Sequence, residues 1–189
     1  MRTKKPAQAD KMLDAAVRLF GAQQFHEVRM EDVAARAGVG KGTIYRYFED
    51  KDELYLAMLE RAGDQLSERI RTGVARAATP VAKLEAFVAA VIGFFDERPH
   101  VFDLIQRADA LRGATTPWQK TRDEAVRLVM RLFDEGKAQK HFVVADAHTT
   151  ALMLLGGVRA VIRFGSKPHR PHLARDIVRW FLGGAAGNP

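Results

Sequence analysis

Residues 41–47 read Lys-Gly-Thr-Ile-Tyr-Arg-Tyr, and they place recognition chemistry on one side of a short helix. At about 100° per residue, Ile44 shares a face with Phe48, so both point inward. Gly42, Thr43 and Arg46 fall on the opposite face, Tyr45 and Tyr47 flank it, and Lys41 sits at the helix start. Cations and a hydroxyl bond phosphate oxygens and base edges, and a glycine lets the backbone come close. The start of a helix adds its own partial positive charge. Two tyrosines on a short exposed helix are costly to leave in water without a partner. The plainer alternative is a helical hairpin with a solvated basic face.

Bond-making chemistry is thinly supplied. The chain has no cysteine, which excludes thiolate nucleophiles, disulfides and Cys-ligated zinc, and its only serines are Ser67 and Ser166. It contains no His-Glu-x-x-His, no phosphate-binding loop and no dinucleotide glycine motif. Nothing assembles into a triad. His169 and His172, in His-Arg-Pro-His, are near enough in sequence for a metal pair. Pro168 and Pro171 break the helix that would align them, however, and Lys167 and Arg170 repel a cation. No metal, no cofactor and no catalysis are expected.

The elements that position residues 41–47 follow from apolar spacing. Met12, Leu13, Ala16, Val17 and Phe20 predict a first helix ending near Gly21. Met30, Val33, Ala34 and Ala37 predict a short second one, stopped at Gly38, which suits the left-handed turn at a helix end. Val39 is apolar and pins the turn. The third helix spans about Gly40 to Phe48, giving a helix-turn-helix layout. Asp50 caps a fourth, with Glu53 completing a capping box. Its inner face is Leu54, Ala57, Met58, Ala62, Leu66 and Ile70. Thr79-Pro80 and Thr116-Pro117 look like caps with first-turn prolines for the fifth and seventh helices, and Asp146 caps an eighth. The sixth runs from about His100 to Leu111 and the ninth from about Pro171 to Leu182. Phe142-Val143-Val144 leans toward strand but is too short for a sheet. The fold class is all-α, a nine-helix architecture: residues 1–50 form a three-helix head with the helix-turn-helix, and 51–189 a helical bundle.

Charge and composition agree with that layout. The 189 residues are 47% hydrophobic and 28% charged, with a net charge of +7. Residues 1–48 hold nine Lys/Arg against five Asp/Glu, so a quarter of the chain carries over half the net charge. Arg2, Lys4 and Lys5 make a basic N-terminal arm. A positive terminal unit suits a polyanion. The longest apolar run, Ala86 to Phe95, is half the length of about 20 residues that a spanning helix needs. The polar first ten residues carry no apolar signal region. A cytoplasmic protein is expected.

Residues 10–61 resemble the N-terminal DNA-binding region of TetR-family (tetracycline-repressor-like) transcriptional regulators. The likeness is carried by AAVRLFGAQQF and by MEDVAARAGVGKGTIYRYFEDKDELY, without a gap. It implies that the third helix enters the major groove, with Lys41, Gly42, Thr43, Tyr45, Arg46 and Tyr47 facing DNA and Lys51 meeting a phosphate. One departure stands out. The family often has Ser or Thr just before helix two, and this chain has Val28-Arg29, so Arg29 would reach phosphate by charge instead of by capping. The resemblance also implies a homodimer and a small effector molecule.

The rest of the chain must supply both. Phe95, Phe102, Trp118, Met130 and Met153 are candidates for an apolar ligand lining, with Gln106, Asp109, Arg122 and His148 as polar groups that orient a ligand. The alternative is that they fill the core or are solvated. Gly156-Gly157 sits inside the eighth helix and Gly183-Gly184 ends the ninth, which suggests close packing by a neighbour. Leu154, Val158, Val161, Ile177, Trp180 and Phe181 are candidates for a dimer seam, the alternative being burial within the same chain.

The expectation is a homodimeric one-component repressor on a palindromic double-stranded DNA operator, released by a small apolar or aromatic effector, and not by a sugar or nucleotide. Filling the cavity would tilt helix four and change the separation of the two recognition helices, which must stay near one DNA turn, about 34–36 Å. An architectural DNA-binding protein without effector is the alternative, and a helical enzyme a weaker one.

Overall fold

The computed structural model describes residues 6–111 and 117–183, and side chains over 7–108 and 117–183. The arm residues Arg2, Lys4 and Lys5, the cap Thr116, Gly184 and the side chain of Asp109 lie outside that description. Among the described residues there are nine helices and no strand: α1 Pro6–Ala22, α2 Met30–Arg36, α3 Lys41–Tyr47, α4 Lys51–Ala75, α5 Pro80–Glu97, α6 Pro99–Leu111, α7 Pro117–Ala138, α8 Ala147–Phe164 and α9 Leu173–Gly183. Prolines open α1, α5, α6 and α7, where a missing N–H costs nothing. The Thr79 hydroxyl accepts the Ala82 N–H at 3.2 Å, and the Asp146 carboxylate accepts the Thr149 N–H at 2.7 Å, so two of the expected caps form. The Thr149 bond also holds the Asp146 pKa below its usual value.

The chain divides into two compact units, Met1–Gly63 with Pro99–Trp118, and Asp64–Arg98 with Gln119–Pro189. This packing division differs from the functional one expected at residue 50, because α6 returns to the head and packs on α1. Gly21 is not a helix stop. It lies within α1, and a Cβ there would sit 2.8 Å from the Cβ of His100, so the glycine lets α6 come close.

The first unit has a core of Met12, Ala16 and Phe20 from α1, Val33 and Ala34 from α2, Ile44 from α3, and Leu54, Met58 and Leu59 from α4, all buried. Val101, Leu104 and Ile105 of α6 complete it. Phe20, Phe25 and Tyr55 form a cluster, Phe20 stacked on Phe25 at 5.5 Å and Tyr55 edge-on to both. Inside this apolar surround the Tyr55 hydroxyl donates to the Leu104 carbonyl at 2.7 Å. On the rim, Arg61 of α4 bonds the carboxylates of Asp10 and Asp14.

The second unit is built around α5, which is apolar on nearly every side and is buried at Leu84, Phe87, Val88, Ile92, Phe94 and Phe95. α8 and α9 both pack on it. Phe133 of α7 adds its ring to Phe142 in the following loop and to Phe181 of α9. The β-leaning stretch 142–144 forms no strand: Val144 is buried and Val143 is exposed. No described helix is long and apolar enough to cross a membrane.

Burial raises the Tyr55 phenol from an ordinary 10.0 to about 12. A group whose pKa is raised by folding lends stability that is complete below its unfolded value and is lost as pH rises through its folded value. The stability difference between wild type and Tyr55→Phe should therefore shrink as pH rises from about 10 to about 12 in chemical denaturation of the full chain. A difference independent of pH would show that the phenol is not held protonated by the fold.

Candidate nucleic-acid interface

The turn between α2 and α3 is a Schellman motif. Gly38 has φ of 67°, the left-handed region, its N–H bonds the Ala35 carbonyl at 3.1 Å, and the Val39 N–H bonds the Ala34 carbonyl at 2.9 Å. These bonds close the last carbonyls of α2 and fix the direction in which α3 departs. α3 carries no side-chain cap, since its N-cap is Gly40. Glu31 of α2 reaches Lys41 of α3 at 2.8 Å. The Lys41 ammonium pulls the Glu31 carboxyl below its usual pKa, and Glu31 raises Lys41. Both groups are exposed.

The outer face of α3 carries Lys41, Gly42, Tyr45 and Arg46, all exposed, with Thr43 half-buried. A Cβ built on Gly42 meets nothing within 4 Å, so that side of the helix is open. Ile44 and Phe48 are buried, as the spacing requires. Tyr47 departs from the expectation of an exposed flank. It is 7% exposed and its hydroxyl donates to the Gln8 side chain of α1 at 3.2 Å. The Arg46 guanidinium lies 5.8 Å from the Tyr47 ring centre, so Tyr47 backs the arginine from inside.

Lys51 also departs from expectation. Its ammonium donates to the carbonyls of Phe25 at 2.7 Å and Val28 at 3.0 Å, and it lies 4.5 Å from the Phe25 ring centre. The cation is engaged inside the head, closing the α1–α2 connection, instead of being held out for a phosphate. Arg29 occupies the N-cap of α2, is exposed, and makes no capping bond. Glu31 and Asp32 in the first turn complement the helix dipole there. Asp50 does cap α4: its carboxylate accepts the Glu53 N–H at 2.7 Å, while the Glu53 carboxylate accepts from the Glu49 N–H. Sequence reasoning passed over Gln8 and Glu31, because each acts only on a residue far along the chain.

The proposed ligand lining is divided between the two units. Phe102, Gln106 and Trp118 belong to the first unit, with Phe102 buried and the other two half-buried. Phe95, Arg122, Met130, His148 and Met153 belong to the second. There Phe95 is core, Met130 is half-buried, and Arg122, His148 and Met153 are exposed. A cavity of about 470 Å³ does open within the second unit, between α4 and α7. Its α4 wall is Ser67, Ile70, Arg71, Val74 and Ala75, and its α7 wall is Thr121, Glu124, Ala125, Leu128 and Arg131. None of the expected residues lines it.

The seam candidates divide as well. Leu154 and Val158 are buried in their own chain, because that face of α8 packs on α5. Val161, Ile177 and Phe181 are half-buried, and Trp180 is 51% exposed. The open face of α8 instead shows Leu152, Met153 at 64% and Phe164 at 84% exposure. Cβ atoms built on Gly156 and Gly157 meet nothing within 4 Å, so no neighbour among the described residues explains those glycines. The His169 residue is half-buried with its side chain turned inward, Nδ1 2.6 Å from Asp96 and Nε2 3.2 Å from the Val161 carbonyl, while His172 is exposed. Among the described residues no group of three His, Asp or Glu side chains converges to hold a metal ion.

Lys51→Met keeps the aliphatic stem and removes the donor. Leaving the Phe25 and Val28 carbonyls short of it should cost about 1–3 kcal/mol of stability, read by urea unfolding of the full chain. A variant as stable as wild type would show that water satisfies those carbonyls equally well.

A family model described as bacterial regulatory proteins, tetR family, matches residues 12–58. A second, described as tetracyclin repressor-like, C-terminal domain, matches residues 77–163. The HTH-type transcriptional activator FasR of Mycolicibacterium smegmatis is 34% identical over 98 residues, covering 52% of this chain and 45% of that protein. The aligned stretch thus spans about half the length of the curated relatives that it matches. Among solved structures, the fatty acid degradation regulator FadR from Bacillus halodurans superposes with a TM-score of 0.81 at 23% identity, over 96% of this chain and 98% of that one. AibR, solved in complex with isovaleryl coenzyme A and operator DNA, superposes with a TM-score of 0.76 at 20% identity, over 93% and 98%. With both family models on one chain and an all-α fold shared with these regulators, the protein belongs to the TetR family of bacterial transcriptional regulators.

Proposed function

We propose that this chain is a homodimeric, ligand-responsive repressor that binds a palindromic DNA operator through α3 and leaves it when an effector with an apolar part binds the second unit. The observation that carries the reading is the outer face of α3, where Lys41, Gly42, Tyr45 and Arg46 are exposed on a helix whose direction is fixed by the Gly38 turn. Arg46, backed by Tyr47, is the base or phosphate reader, and Lys41, Thr43, Tyr45 and Arg29 supply backbone contacts. Tyr47 and Lys51 hold the head together in this reading and do not lead the contact. AibR was solved with operator DNA and an acyl thioester, which supports the pairing of DNA and effector.

The dimer reading rests on the open face of α8. Leu152, Met153 and Phe164 leave a contiguous apolar strip, and Gly156, Gly157 and Ala160 leave it flat enough for a second helix to approach closely. Trp180 of α9 is a further exposed apolar side chain, 51% exposed. The buried Leu154 and Val158 take no part in it.

Arg46→Ala should weaken operator binding by about 1–3 kcal/mol with the fold unchanged, and Lys41→Gln should lower the salt dependence of binding by about one phosphate contact. Operator titrations at several salt concentrations read both. Wild-type affinity in Arg46→Ala would refute the docking face, and diffuse coverage in a footprint would favour an architectural protein over a repressor.

Phe164→Asp and Trp180→Asp should each shift sedimentation from dimer to monomer at micromolar concentration. A monomeric wild type would sink the homodimer and the palindromic operator together.

A further inference from the structure

Glu31 is out of keeping with its surroundings. Arg29, Lys41 and Arg46 of the helix-turn-helix are exposed cations, and Glu31 sets a carboxylate among them. Its Oε1 lies 2.8 Å from the Lys41 Nζ, with 43% of the glutamate side chain and 68% of the lysine side chain open to water. An exposed pair of this kind adds little to stability. Asp32 in the same turn already complements the dipole of α2. A phosphate backbone repels a carboxylate, so general attraction to DNA does not account for Glu31 either. The bonding capacity of the pair is not used up. An ammonium has three N–H donors and a carboxylate has about four lone-pair sites on its two oxygens, so both groups can bond further while joined. The Lys41 hydrogen bond holds the Glu31 carboxyl below its usual pKa, with the Arg29 charge adding to the effect, and the group stays a pure acceptor. The approach to it is open: Cβ atoms built on Gly40 and Gly42, on either side of Lys41, meet nothing within 4 Å.

We infer that Glu31 is a specificity-determining residue of the operator complex: its carboxylate accepts from the N4 amino group of a cytosine in the major groove, while Lys41 lies between that carboxylate and a phosphate and donates to both. In the major groove only cytosine N4 and adenine N6 are donors. Adenine N6 sits between two acceptors, N7 of its own ring and O4 of the paired thymine, and both repel a carboxylate. Cytosine N4 has one such neighbour, O6 of the paired guanine, so cytosine is favoured. Lys41 makes the approach possible, because it neutralises the carboxylate against the backbone and keeps its phosphate contact with its remaining donors. On a sequence without a cytosine at that place the carboxylate meets an acceptor or no partner, which penalises the wrong site. The assignment rests on the operator reading above and adds to it a base identity that Arg46 does not supply.

The test uses the full chain and duplexes selected from a random-sequence DNA library, with wild type, Glu31→Ala and Glu31→Gln run in parallel. The wild-type half-site should hold one position where cytosine binds fivefold or more tighter than any other base. Glu31→Ala should level that position to within twofold and leave the other positions as they are. Glu31→Gln, whose amide suits adenine N6 and N7, should move the preference from cytosine to adenine. Binding to a mixed-sequence duplex should tighten threefold or more in Glu31→Ala, because the repelled carboxylate is gone. Lys41→Gln should weaken operator binding at least threefold more in the wild-type background than in Glu31→Ala, since only the former leaves a bare carboxylate against DNA. The same consensus from wild type and Glu31→Ala would overturn the base-reading role and leave the operator reading standing. Equal effects of Lys41→Gln in the two backgrounds would overturn the bridge to phosphate. A wild type that selects no symmetric consensus would overturn the operator reading, and this assignment with it.

Discussion

The presentation of α3 depends on how the start of α4 is fastened to the loop after α1. Lys51 closes the carbonyls of Phe25 and Val28, and one turn later Tyr55 packs edge-on against Phe20 and Phe25 while its hydroxyl closes the Leu104 carbonyl. Backbone carbonyls shut away from water need such donors, and a loop that lacked them would not keep one conformation. With that loop fixed, α2 has one place to start, the Gly38 turn gives α3 one direction, and the outer face of α3 becomes a rigid surface. Rigidity matters because contacts to base edges discriminate only when the donors are already in place.

The second unit obeys a different constraint. α5 is apolar on nearly every side and must be wrapped, which uses the inner faces of α8 and α9. What remains on α8 is an exposed apolar face, with two glycines that nothing among the described residues covers. On α4 and α7 the facing stripes are too small to meet and leave a groove. α4 belongs to both units, its residues 51–63 to one and 64–75 to the other.

The amino-acid sequence by itself determined the nine described helices, the caps at Asp50, Thr79 and Asp146 and the turn at Gly38, because these depend on spacings of three and four residues and on local backbone chemistry. It also determined that Ile44 and Phe48 turn inward and that Arg46 turns outward, since they stand at the middle of opposite faces. Tyr47 was decided by tertiary structure. It lies at the border between the faces, where periodicity gives no preference, and the arrival of α1 with Gln8 buries it while Tyr45 on the other border stays exposed. Lys51 was decided the same way, because a cation at a helix start points to phosphate until two carbonyls from a distant loop are found beside it. The eighth helix shows the limit most clearly. Sequence marks Leu152, Met153, Leu154 and Val158 as apolar alike, and only packing against α5 assigns the last two to the core and leaves the first two in water. The α4–α7 groove was illegible for a related reason: it is made by what small residues fail to fill, and an absence of contact between helices separated by some fifty residues leaves no mark on the spacing within either one.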